Sequence, residues 1–149
     1  MSCIRFSTPA QRAQIRRDPA PIDAADAAVL HLAPPVTESK LARLRLLARH
    51  ASPGIRQSVA SNRHAPADLL ASLAADPESA VRGEVARNEA APVELVEALA
   101  QDRDARVRCW AVLNPGLPDS AVPALLEDGD AQVRRLAGWR REHAAVGSR

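Results

Sequence analysis

The chain has 149 residues, 46% of them hydrophobic and 26% charged, with a formal net charge of +2 at pH 7, which is enough apolar material for one domain with a sizeable interior. Its only aromatic residues are Phe6, Trp110 and Trp139, and its only cysteines, Cys3 and Cys109, exclude a disulfide framework or a paired-thiolate metal motif; a reducing, cytoplasmic setting is expected. No apolar run approaches the roughly 20 residues of a membrane span, and the N-terminus lacks the apolar core of a signal peptide.

In chain order, residues 1–26 come first, interrupted by Pro9, Pro19 and Pro21. The stretch Gln11 to Arg17 fits one or two basic helical turns, and the whole segment is expected to be an N-terminal cap or a mobile segment. Self-similarity then dominates. Ile55-Arg56, Val81-Arg82, Val107-Arg108 and Val133-Arg134 recur at 26 residues, as do Asn62, Asn88 and Asn114, Pro66, Pro92 and Pro118, and Leu47, Leu73, Leu99 and Leu125. Val29, Ala33 and Leu44 fall in the columns of Ile55, Val59 and Leu70. The array therefore divides into a degenerate copy at 27–52, copies at 53–78, 79–104 and 105–130, and a partial copy at 131–141. Residues 142–149 form a tail.

Each copy reads as two short helices. In the clearest one, Asp76 is placed to cap the first helix, Pro77 suits its first position and Glu78 favours the positive end of the dipole. That helix is predicted from about Pro77 to Arg87, where Asn88 ends it in the left-handed conformation. The second is predicted from Pro92 to near Asp102, with Leu95, Val96, Leu99 and Ala100 on one stripe. Helices of about ten residues do not stand alone in water, so neighbouring copies must cover each other's apolar stripes.

The run from Asp76 to Ala100, D-P-E-S-A-V-R-G-E-V-A-R-N-E-A-A-P-V-E-L-V-E-A-L-A, resembles the leucine-rich repeat variant family, and its Asp-x4-Val-Arg core is similar to HEAT repeats. The resemblance implies an all-α, right-handed helical solenoid of two-helix repeats, about four to five here, in which one helix of each can be 3₁₀; the function expected is a protein-binding scaffold of bacterial type that uses its variable face. Some members of that family ligate an iron–sulfur cluster through an N-terminal cysteine-rich segment. Here residues 1–26 hold only Cys3, against the four thiolates that a four-iron cluster normally takes, so no cofactor or metal is expected; an iron–sulfur-associated role is the remotest alternative.

Variation between copies separates scaffold from recognition. Helical geometry puts Val81, Arg82, Val85 and Ala86 in an arc of roughly 140°, so Arg82, like Arg56, Arg108 and Arg134, flanks the core. The structural reading pairs these guanidiniums with the Asp76, Asp102 and Asp128 column or with helix-end carbonyls; the functional reading is a basic ladder for phosphates. Asn62, Asn88 and Asn114 complete the structural columns. The opposite face drifts: Gln57, Gly83, Cys109 and Arg135; Ser58, Glu84, Trp110 and Leu136; Ser61, Arg87, Leu113 and Trp139. Two readings stand for its C-terminal part. One is an exposed partner-binding patch of Glu84, Arg87, Trp110, Leu113, Arg135, Leu136, Trp139, Arg140 and Arg141; the other is a closing element, with Trp139 folded over the end of the core.

Cys109 reads as a plain surface thiol, and His31, His50, His64 and His143 as scattered surface residues. Asp68, Glu94 and Asp119 fall in the first turns of second helices, where the dipole accounts for them. No Gly-rich phosphate loop, nucleophile elbow or Cys/His dyad occurs, so no enzyme is expected. The partner is expected to be another protein. Nucleic acid is the disfavoured alternative, because residues 53–130 carry 7 basic against 13 acidic side chains, a net −6, between basic ends of +4 each, whereas a phosphate-tracking groove is positive along its length.

Overall fold

Helices supply all the regular structure among the described residues, 37–144 of the computed structural model, and no strand occurs there. Residues 1–26, the first ten residues of the 27–52 copy and the end of the tail lie outside the described residues. Helix α1 spans Glu38–Leu47, α2 Pro53–Ala60, α3 Ala67–Ala74 and α4 Ser79–Arg87. Helix α5 spans Val93–Leu99, α6 Ala105–Leu113, α7 Val122–Leu126 and α8 Ala131–Ala144. The 3₁₀ conformation allowed once per copy is confined to the turn Asp119–Ala121 that leads into α7; α3 and α5 are α-helical.

Helices α2, α4, α6 and α8 pack each against the next, while α3 and α5 lie against α4, α5 also against α6, and α7 against α8. The first set contributes mostly small β-branched and alanine side chains to the interior: Val59 and Ala60, Val81, Val85 and Ala86, Val107, Ala111 and Val112, then Val133 and Ala137. Small side chains bring helix axes close. The second set supplies the bulk, with Leu70, Leu73, Val96, Leu99, Val122 and Leu125 buried. Ala65, Ala91 and Leu117 seal the turn between the two sets.

The helix starts differ from the sequence reading. Helix α4 begins at Ser79, not Pro77, and Asp76 does not cap it: its carboxylate accepts the Glu78 N–H at 3.0 Å and is otherwise held by Arg56. Likewise Asp102 accepts the Asp104 N–H at 2.8 Å, and it is Asp104 that caps α6 through the Arg106 N–H at 2.8 Å. A carboxylate claimed by an arginine two helices away folds the entry turn; in α6 the cap then falls to Asp104, whereas Glu78 at the start of α4 makes no side-chain cap bond.

The asparagines also depart from expectation. Asn88 and Asn114 are extended, at φ −72°, ψ 119° and φ −70°, ψ 126°, and no non-glycine residue among those described has positive φ. The last carbonyls of a helix have no intrahelical donor, and these side chains supply one from the following layer. Asn88 Nδ2 donates to Ala60 O at 2.7 Å and Asn62 O at 3.1 Å, while its Oδ1 accepts the Ala90 N–H at 2.9 Å. Asn114 treats Ala86, Asn88 and Gly116 in the same way, at 2.7, 3.1 and 2.7 Å. Asn62 Oδ1 accepts the His64 N–H at 2.8 Å.

Candidate functional site

Three arginine–aspartate forks join successive layers. Arg56 Nε and Nη2 donate to Asp76 at 2.6 and 2.9 Å, Arg82 to Asp102 at 2.7 and 2.9 Å, and Arg108 to Asp128 at 2.8 and 2.7 Å. In each the remaining Nη1 is turned onto entry-turn carbonyls: His50 and Ala51 for Arg56, Asp76 and Pro77 for Arg82, Asp102 for Arg108. These guanidiniums are thus spent inside the molecule. Arg134 makes the Nη1 bonds, to Asp128 O at 2.6 Å and Gly129 O at 3.0 Å, but it is exposed and no carboxylate among the described residues meets its other nitrogens.

Of the drifting columns, that of Gln57, Gly83 and Cys109 is turned inward, Gly83 being buried and the other two half-buried, and the exposed part lies on the outer side of α4, α6 and α8. Trp110 and Leu113 on α6 are each 41% exposed, and Trp139 on α8 is 52% exposed. Trp110 lies against the helix before it: a Cβ on Gly83 would sit 3.4 Å from its Cδ1, so the bare backbone of α4 accepts the indole in ordinary contact. Arg87 lies over the same ring at 5.3 Å from its centroid, a cation–π distance, and reaches Glu84 at 3.7 Å. On α8, Trp139 stacks on His143 with centroids 4.4 Å apart, and the His143 Nδ1 lies 2.8 Å from Trp139 O. Trp139 is therefore not folded inward over the core. A cleft of about 210 Å³ runs beside Trp110, lined by Gln57, Gly83, Glu84 and Arg106.

Of the remaining patch residues, Arg135 and Arg141 are exposed, Arg135 donating to Gln132 Oε1 at 2.7 Å, and Leu136 is half-buried against the core. Arg140 does not belong to the exposed patch. Its guanidinium turns inward, Nη1 donating to Val112 O at 2.9 Å and Asn114 O at 2.7 Å and Nη2 to Leu117 O, because position 140 lies 26 residues after Asn114 and faces the same orphan carbonyls. Cys109 is half-buried rather than plainly on the surface, and burial pushes its thiol above the ordinary range. No trio of His, Cys, Asp or Glu among the described residues is grouped to hold a metal; Cys3 and His31 lie outside them.

On the other side, a larger cleft of about 730 Å³ opens between α5 and α7, with Glu97, Gln101, Ser120 and Ala124 on its walls and the Arg108–Asp128 pair in its lining. The charged groups Asp102, Arg108 and Asp128 in its lining are already paired within the protein. No helix among the described residues is long and apolar enough to cross a membrane.

Comparison of the chain with protein-family models, curated proteins and solved structures found no match.

The contacts of Arg87 and Gly83 with Trp110, and of His143 with Trp139, were not anticipated from sequence. The histidine stack had a visible signal, since positions four apart on a helix are neighbours. The glycine–tryptophan contact joins two helices across different columns and had none.

Proposed function

We propose that this chain is a non-catalytic, cytoplasmic protein–protein interaction scaffold, a right-handed solenoid of 26-residue two-helix repeats of the leucine-rich repeat variant kind. The observation that carries the reading is the contrast within α4, α6 and α8. Their inward columns repeat Val, Ala and Arg, whereas their outward columns share no chemistry and expose Trp110, Leu113 and Trp139. Large apolar side chains left in water on a soluble surface mark contact sites, and Trp and Arg are the residues that most often dominate binding energy. The Glu84–Arg87–Trp110 stack holds its members in place, so less side-chain freedom is lost when a partner covers them. An acidic or apolar strip on the partner fits this surface.

The test is the double variant Trp110→Ala, Trp139→Ala, compared with the unaltered protein in quantitative affinity purification from the native host. Expected is loss of the enriched partner with an unchanged helical circular-dichroism spectrum. Undiminished enrichment would overturn the patch assignment.

Nucleic acid is a second reading, favoured only by the exposed Arg134, Arg135 and Arg141 of α8. Filter binding at two salt concentrations separates it: micromolar affinity that falls steeply with salt would move it to first place.

A further inference from the structure

Helix α8 presents uncovered the flank that α4 and α6 have covered. On α4, Arg82, Gly83 and Ala86 are buried; the equivalent Arg108 and Cys109 of α6 are half-buried and Val112 is buried. On α8 the same positions are Arg134 and Arg135, both exposed, and Gly138, where an added Cβ would meet nothing within 4 Å. Arg141, also exposed, stands two helical turns beyond Arg134 on the same side.

Arg134 is already set for an ion pair. Its Nη1 is fixed on Asp128 O and Gly129 O, as that of Arg82 is on Asp76 O and Pro77 O. In Arg82 this orientation delivers Nε and Nη2 to Asp102. Among the described residues no carboxylate meets those two nitrogens of Arg134, and residues 145–149 contain no Asp or Glu.

We propose that this flank of α8 is a docking site for a carboxylate-bearing helical segment of a partner protein, gripped in bidentate fashion by Arg134 and packed over Gly138. The inference rests on the protein-binding reading above and names the chemistry of the partner. Charge complementarity selects it: α8 exposes Arg134, Arg135 and Arg141 and its own residues include one carboxylate, Glu142, while the nearby Asp130 caps the helix and Asp128 is held by Arg108. Phosphate also satisfies a guanidinium fork, but the three equivalent forks inside this molecule each hold an aspartate, and the net −6 of residues 53–130 repels a phosphate backbone. A second copy is a poor occupant, because its aspartate column reads Ala24 and His50 in the first two positions.

The probe is a fluorescein-labelled peptide of residues 88–113, the segment that covers the α4 flank by bringing Asp102 to Arg82 and Trp110 to Gly83. Titrated with the full-length protein and followed by anisotropy, it is expected to bind saturably. Arg134→Ala in the protein, or Asp102→Asn in the peptide, should each weaken binding by about tenfold or more, and the two together by little beyond either alone. Lys40→Ala in the protein, on α1, should leave peptide affinity unchanged.

Absence of saturable binding, or equal affinity of the Arg134→Ala protein, overturns the proposal. A short DNA duplex bound more tightly than the peptide through Arg134 assigns the flank to phosphate and overturns it as well. So does a dimer in sedimentation equilibrium that Arg134→Ala dissociates. Arg134 is not a member of the tryptophan patch, so affinity purification with the double tryptophan variant and peptide titration with Arg134→Ala read the patch assignment and this inference separately, although Arg135 and Arg141 border both.

Discussion

Arg140 donates to the carbonyl of Asn114 at 2.7 Å, in the place where Asn114 itself donates to the carbonyl of Asn88 at 3.1 Å. A different side chain on α8 thus performs the same act at the same 26-residue interval, and its longer fork also takes in Leu117 O. Replacing Arg140 by Ala strips a donor from three carbonyls at once. Arg140→Ala is expected to lower stability by about 2 kcal/mol, with Arg140→Asn recovering part of it, as read from urea midpoints at constant m-value.

The Arg82–Asp102 fork is the most enclosed of the three, its side chains 6% and 9% exposed. Removing one partner strands the other in a poorly solvated place. Asp102→Ala should therefore cost on the order of 3 kcal/mol. The double variant Arg82→Ala, Asp102→Ala should cost clearly less than the two single losses combined, and a strictly additive thermal-denaturation cycle would show that the pair is not coupled.

Acid should unfold the protein through this column. Arg56 hydrogen bonds hold Asp76 below the usual carboxylate range against the opposing effect of burial, and Arg108 does the same for Asp128. For Asp102 burial is the largest influence and pushes upward, yet the Arg82 fork, the Asp104 amide and the nearby arginine charges together bring it down. A folded-state value below the unfolded one means that the unfolded chain binds more protons. The stabilisation is therefore complete above the unfolded value of about 4 and is lost as pH falls below it toward the folded values. Melting temperature should be nearly level from neutral pH down to about 5 and then drop, with a shallower drop in Asp102→Asn.

Gly83 lies in the interior of α4, where glycine is a poor helix former, and a methyl there would meet Trp110 Cδ1 at 3.4 Å, ordinary contact. Gly83→Ala is expected to be neutral or to stabilise by up to about 1 kcal/mol. Gly83→Val demands more room and should lift the indole off α4, seen as a red shift in the emission of Trp110 when Trp139 is replaced by Phe.

The all-helical class and part of the interior were legible in the sequence. The columns of Val81, Val107 and Val133 and of Leu73, Leu99 and Leu125 lie at the interior because side chains that recur at one helical phase share one environment. The polar columns were harder. Rules for helix ends consider a residue and its own helix, so they assigned Asn88 a left-handed backbone and Asp76 a capping role. Both side chains instead serve groups 20 to 28 residues away. Arg140 was grouped with Arg141 by adjacency, although its place in the asparagine column, readable from the same alignment, marked it as internal. The seating of Trp110 on Gly83 depends on the tilt of two helices, a quantity that periodicity does not encode.

Every side-chain hydrogen bond between layers in the described region spans 20 to 28 residues and none reaches farther. Closing such short loops carries a small entropic cost, and chains dominated by nearby contacts fold quickly. Ordering can thus proceed along the polypeptide as it leaves the ribosome, each layer docking on its predecessor before the remainder exists. Damage should travel the same way, with a lesion in one layer loosening its immediate neighbours first and leaving distant ones to melt on their own.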